Sequence, residues 1–235
     1  RVGQPAVIDF DAKASGNIGL KGVVYFSKPL MQTIEKEGNV FTALHTPGTD
    51  SATGNPGYPH IPMYRRLFAV PHGAQPLLRY SVVKGDSLRT LLFPTQLLPV
   101  DGYPTEPPDP NNIYGDMPFE WNKEAYQSDS PYPEAPARLV DLGQVRDLRI
   151  FMLEVATGEY YPSSQQLQLF DAVQIDTVFE GGDGYFATEA STHGFDQLSE
   201  TIAGGLVNGS LVSRYVIGVE VKPIYLGEEL LILTH

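Results

Sequence analysis

Hydrolytic chemistry needs a nucleophile beside a base, and the bases this chain offers are His45, His60, His72, His193 and His235. No Gly-x-Ser-x-Gly elbow stands in the sequence, and without cysteine a Cys–His pair cannot form. The histidines also lack a metal-ligand spacing such as His-Glu-x-x-His, so each reads as a turn or surface residue. Carboxylates close in sequence, Asp9-x-Asp11 and Glu228-Glu229, have the groups for acid–base work but read first as solvated faces of an acidic chain. Asp109-Pro110-Asn111-Asn112 can ligate a structural calcium through oxygen atoms, but it lacks the Gly and Glu of an EF-hand loop. No other cofactor is expected. Gly181-Gly182-Asp183-Gly184 is a plain turn, because no Lys-Ser/Thr follows and no helix begins at once. Asn208-Gly209-Ser210 matches a glycosylation triplet, a pattern too short to weigh alone.

With so little reactive chemistry, the elements themselves carry the information. A chain of 235 residues can bury a sizeable core, as one large all-β domain or two small ones. Hydrophobic residues at 42% exclude wholesale disorder, and 23 glycines with 20 prolines suit many turns between short strands. A net charge of −12 argues against a nucleic-acid partner and suits a partner with basic patches. The absence of cysteine leaves the compartment open. No apolar run reaches the ~18 residues of a membrane span. Arg1-Val2-Gly3-Gln4 leads straight into polar and strand-like sequence, without a signal-peptide pattern.

Ala6–Phe10 and Val23–Phe26 are short β-favouring runs. Thr46 to Tyr58 is rich in Gly, Pro, Ser, Thr and Asn and is expected to be an exposed, mobile loop. Leu67–Val70 reads as a strand. Leu77–Lys84 alternates, with Leu78, Tyr80 and Val82 on one face, and Leu88–Phe93 is expected to complete a meander. From Pro94 to Pro136, prolines at 94, 99, 104, 107, 108, 110, 118, 131, 133 and 136 exclude central sheet. This long loop also holds Tyr114, Phe119, Trp121, Tyr126 and Tyr132, and so many aromatics suggest that part of it docks on something. Leu148–Val155 is strand-like, and Leu167–Phe179 places Leu167, Leu169, Val173, Ile175 and Phe179 on one face. Phe195, Leu198, Ile202 and Leu206 recur at helical spacing, giving the one expected helix. Val212–Val221 is a final strand or an extended linker, and Leu230–Thr234 suits a parallel strand covered on both faces. The expected fold is an all-β, antiparallel sandwich with one short helix and a long proline-rich loop.

Several stretches carry a family resemblance. Gly57-x-Pro59-x-x-Pro62 followed by Arg66-x-Phe68-Ala69-Val70-Pro71 is similar to a G-x-P-x-L-P … R-x-x-A-V stretch in the N-terminal prodomains of gingipain-type cysteine peptidases. Leu148-Arg149-Ile150-Phe151, then Tyr161-Pro162-Ser163-Ser164-Gln165-Gln166-Leu167, resembles a hairpin of that family, although the Asn before its Pro is absent here. Thr192–Val207, with Phe195, is similar to the segment before the family's domain junction. The resemblance covers residues 55–235; the first fifty are too divergent to include.

The resemblance implies a jelly-roll-like sandwich that is not itself an enzyme. It implies a propeptide that keeps a downstream cysteine peptidase latent and assists its folding by occupying the active-site cleft. The partner it implies is the cognate peptidase domain, and the location is secreted or cell-surface after bacterial-type export. Residues 1–214 would be the prodomain, and 215–235 a linker with the first strand of the peptidase domain. Counting back from Ile113-Tyr114-Gly115, which resembles a V-Y-G of arginine-specific members, puts the blocking loop at Val100, Asp101, Gly102, Tyr103 and Pro104. Those members carry arginine where Tyr103 stands. Either the cognate enzyme prefers another side chain, or the register differs, or blocking uses neighbours such as Asp101. Arg214-Tyr215 resembles the family's maturation bond. The rival reading is a secreted carbohydrate-binding or adhesive sandwich module, since such folds host both jobs. An enzyme in its own right lacks any nucleophile, metal set or base pair.

Overall fold

Runs rich in β-branched and aromatic residues favour strands, and strands dominate the architecture. The computed structural model describes residues 19–49, 51–96, 119–145, 148–182, 184–186 and 197–214. Among these it has ten strands, one 3-10 turn and two short helices.

The longest strands form the first sheet. β10 (Gln166–Gly181) pairs with β6 (Ala74–Arg89) along one edge. Its other edge is shared by β9 (Gly158–Tyr161) and β1 (Gly19–Tyr25), and every pairing is antiparallel. A second antiparallel sheet runs in the order β4 (Ser51–Ala52), β5 (Pro62–Val70), β8 (Leu148–Ala156), β7 (Ala137–Val145). β2 (Leu30–Lys36) and β3 (Asn39–His45) make a separate hairpin. Its two turn residues, Glu37 and Gly38, both have positive φ, the geometry whose twist matches the flanking strands.

The two sheets face each other across one core. Phe68 of β5 is fully buried and stacks on Phe151 of β8 and on Phe179 of β10, with centroids 6.0 Å apart in each case. Truncating such a ring costs about 3–5 kcal/mol through lost transfer energy and the cavity left behind. Leu20, Val24, Val173 and Ile175 approach from the first sheet, and Tyr64, Leu148, Leu153 and Val155 from the second. A smaller core holds Leu44, Ile61, Met63, Leu92, Tyr126, Tyr160, Leu167 and Leu169. The antiparallel sandwich expected from the sequence is therefore present.

Four local expectations are corrected. β10 does not alternate simply: irregularities on either side of Phe170 shift its register against β6. They turn Phe170, Ala172 and Val173 inward while Asp171 stays exposed. The strand expected at 77–84 extends to Arg89, and 90–93 is irregular chain rather than a further strand. The loop expected to be exposed and mobile is pinned by Thr53, which is buried and hydrogen-bonded to Pro59 and Ile61. Finally, 212–214 belong to a helix. α1 (Gln197–Gly204) holds Leu198 and Ile202 of the expected helix, Leu206 falls in the turn after it and Phe195 lies outside the described residues; α2 (Gly209–Arg214) follows.

Candidate functional site

Gln96 and Phe119 flank the part of the proline-rich stretch that lies outside the described residues, and the structure holds the two flanks together. The Gln96 side chain donates from Nε2 to the Glu120 carbonyl at 3.0 Å, and its Oε1 accepts from the Glu120 N–H at 2.9 Å. Nε2 also reaches the Pro94 carbonyl at 2.9 Å. A primary amide carries a donor and an acceptor side by side, so it can stand in for a neighbouring strand.

The Gly57-x-Pro59-x-x-Pro62 stretch is the floor beneath this clamp. The Gly57 N–H donates to the Thr95 carbonyl at 2.8 Å, the Thr95 N–H to the Tyr58 carbonyl at 2.7 Å, and the Asn122 N–H to the Gly57 carbonyl at 3.1 Å. Gly57 has φ +82°, and a Cβ there would lie 2.9 Å from the Asn122 nitrogen, so the position needs glycine on both counts. Asn122 Oδ1 accepts from the N–H groups of Glu124 and Ala125, at 3.1 Å each, and so starts the 3-10 turn Ala125–Gln127. The motif singled out in the sequence therefore acts through its backbone, which joins the chain on either side of residues 97–118.

The aromatics of the returning segment face inward. Phe41 packs edge-on against Phe93, Phe119 and Trp121 at 5.9, 5.6 and 5.2 Å. The Tyr126 hydroxyl donates to the Leu92 carbonyl at 2.8 Å, and the Tyr160 hydroxyl to the Thr90 carbonyl at 3.0 Å. Burial raises the pKa of both phenols, that of Tyr160 to about 12. Phe119, Trp121, Tyr126 and Tyr132 thus pack on the domain's own cores, which corrects their use as evidence for a docking arm. Tyr114 lies outside the described residues.

His60 differs from the turn or surface residue expected. It sits in the floor segment, its N–H donating to the Phe93 carbonyl at 2.9 Å. It lines a shallow groove with His45, Thr46, Thr49 and Pro62. Burial, and secondarily the charge of nearby His45, lowers its pKa to about 4, so the ring is neutral near pH 7.

The far end of the described chain is held by a second amide. Asn208, fully buried between α1 and α2, accepts from the Ala69 N–H at 2.9 Å and donates to the Ala69 carbonyl at 2.8 Å. The Val207 N–H donates to the Leu67 carbonyl at 2.9 Å. β4 occupies the outer edge of β5 only at its start, so Val207 and Asn208 satisfy the edge further along. Asn208 is the acceptor position of the glycosylation triplet, and in the folded chain its amide is fully engaged.

Arg214 is the last residue of α2, while Tyr215 lies outside the described residues. So do Val100, Asp101, Gly102, Tyr103 and Pro104, the calcium candidate Asp109–Asn112, and residues 215–235. Among the described residues no three His, Asp or Glu side chains cluster as a metal site, and no helix is long and apolar enough to cross a membrane. Gln96 was missed in the sequence, where a lone amide in a loop gives no signal, and Asn208 was noted only as part of a glycosylation triplet.

The Propeptide_C25 family model matches residues 14–203, so the match begins well before the region of resemblance read from the sequence. Lys-gingipain HG66 and Lys-gingipain W83 of Porphyromonas gingivalis are each 27% identical over 190 residues, 78% of this chain. The chain spans only 10% of the length of those relatives. A structure bearing on the zymogenic latency of gingipain K from P. gingivalis superposes with a TM-score of 0.57 at 23% identity, covering 75% of this chain and 93% of that one. The complex of P. gingivalis RgpB pro- and mature domains gives a TM-score of 0.64 at 14% identity, covering 86% and 96%. These two likenesses bear on the fold alone. With the family model spanning most of its length, the chain belongs to the Propeptide_C25 family, as a gingipain-type propeptide.

Proposed function

We propose that this chain is a non-catalytic propeptide that keeps a gingipain-like cysteine peptidase latent and assists its folding. Its working part is the excursion between Gln96 and Phe119, with Val100, Asp101, Gly102, Tyr103 and Pro104 entering the active-site cleft. The observation that carries this reading is the closed base of that excursion, where the Gln96 amide ties the departing chain to Glu120. A loop held at both ends by a rigid sandwich loses less conformational entropy on docking than a free tail does. The chain supplies shape and contact area, and this role calls for no cofactor.

In this reading the partner is the peptidase domain, as in the solved RgpB complex of pro- and mature domains. The prodomain occupies residues 1–214, with cleavage at Arg214–Tyr215, and 215–235 lead into the peptidase. That assignment rests on the likeness of Arg214-Tyr215 to the family's maturation bond. The pair works after export, at the cell surface or outside the cell, where the latency of a peptidase matters.

The test places a photo-reactive phenylalanine analogue at position 103 of the full chain, adds it to the mature peptidase, and maps the adduct by mass spectrometry. Adducts on residues lining the catalytic cleft are expected. Adducts confined to surfaces remote from the cleft would overturn the placement.

A further inference from the structure

We propose that Asn208 is a latch that controls proteolytic access to the bond after Arg214. The inference rests on the processing role given to that bond above and adds how the fold regulates it.

Proteases bind their substrates in extended form, as an added strand, and a helical residue presents neither edge for such pairing. Arg214 lies in α2, so cleavage after it requires that turn of α2 to unwind first. Three features resist that unwinding. Val212, in the middle of α2, is fully buried in the main core. Gly209, at the start of α2, lies against α1 so closely that a Cβ would sit 1.9 Å from the Ala203 carbonyl oxygen. Asn208 exchanges two hydrogen bonds with Ala69, a residue 139 positions earlier in the chain.

Of the three, the Asn208 contact is the polar one, and the Val207 N–H on the Leu67 carbonyl supports it from the preceding residue. If it opens while the sheet stays folded, the Ala69 N–H and carbonyl regain water and α2 is released. The exit segment can then open without the domain unfolding. With only a trace of protease, the rate of cleavage follows the equilibrium population of the open form.

The experiment uses the full chain with a trace of an arginine-specific protease, following cuts after Arg214, Arg79 and Arg138 by mass spectrometry. Loss of two buried hydrogen bonds should make Asn208→Ala release the Arg214 product about tenfold faster or more, with cuts within the sheets after Arg79 and Arg138 unchanged. An unchanged Arg214 rate in a folded Asn208→Ala chain overturns the latch. Should that variant fail to fold, amide exchange in the unsubstituted chain decides. The Ala69 amide is expected to exchange through an opening that leaves Phe151, in the centre of the same sheet, protected. Exchange of both together, only on global unfolding, overturns it. The two readings fail separately. A mature peptidase that begins away from Tyr215 removes the processing role while leaving the latch intact. A start at Tyr215 with no effect of Asn208→Ala does the reverse.

Discussion

Gln96 and Glu120 stand 24 residues apart in sequence, yet one side-chain amide of Gln96 satisfies both the N–H and the carbonyl of Glu120. That pairing makes a long proline-rich excursion a closed loop on a folded base. A side chain that closes a loop should matter more to what the loop does than to whether the domain folds.

Gln96→Ala is expected to destabilise the domain by only about 1–2 kcal/mol, the net worth of its lost hydrogen bonds. Its potency against the peptidase should fall about tenfold or more, because the excursion must then be ordered on binding. Urea unfolding and inhibition assays on the same preparation separate the two effects. Equal potency with the clamp removed would show that the base does not pre-order the loop.

Gly57→Ala is expected to destabilise the domain by about 2 kcal/mol or more, since left-handed backbone alone costs a side chain ~1–2 kcal/mol. The clash with the Asn122 nitrogen adds to this. Asn122→Ala, which removes the side-chain acceptor of the Glu124 and Ala125 N–H groups, should cost about 1 kcal/mol. Denaturant midpoints check both.

Glu154 is a buried carboxylate on β8, flanked in register by Arg65 on β5 and Arg138 on β7. Arg65 contacts it at 2.6 Å, and Arg138 holds its other oxygen. Glu154→Ala leaves two guanidinium groups facing each other and should cost about 3–5 kcal/mol. Arg138→Ala should cost much less, because that side chain is 59% exposed and Arg65 still holds the carboxylate. Thermal unfolding of the two variants gives the comparison, and near-equal losses would contradict it.

His60 makes stability depend on pH. Its folded pKa is about 4, against 6.5 for an ordinary histidine. As pH falls, the unfolded chain therefore takes up the proton first. The contribution is fully present above pH 6.5 and is lost as pH drops from 6.5 towards 4. The loss is of order 3 kcal/mol, the energy of a shift of that size. Titrating acidic groups add their own slopes, so the measurement is the difference between the unsubstituted chain and His60→Leu in urea unfolding at several pH values. Stability curves that run parallel from pH 7 to 4.5 would contradict the burial of a neutral ring.

Much of the sheet was legible because Leu148–Val155 and Leu167–Phe179 carry period-two or continuous apolar patterns, and burial on one or both faces dictates those patterns. The phase change at Phe170 was not legible, since a bulge is a relation between β10 and β6 rather than a property of either. His60 looked like a turn residue because the chain that holds its backbone, at the Phe93 carbonyl, is distant in sequence. The same holds for the site. The Gly57–Pro62 motif stood out through its Gly and Pro, whose backbone demands show in sequence. Gln96 and Asn208 did not, because an amide that replaces a strand depends on backbone 24 and 139 residues away. The inward turn of Phe119 and Trp121 escaped for the same reason: composition reports aromatics, and only packing shows which way they face.

The most direct test of the account adds the purified full chain to the mature gingipain-type peptidase and measures the rate of substrate cleavage across a range of chain concentrations. The account predicts inhibition below micromolar concentration that is competitive with substrate and weakened by Gln96→Ala. Undiminished peptidase activity at micromolar concentrations of the folded chain would contradict it.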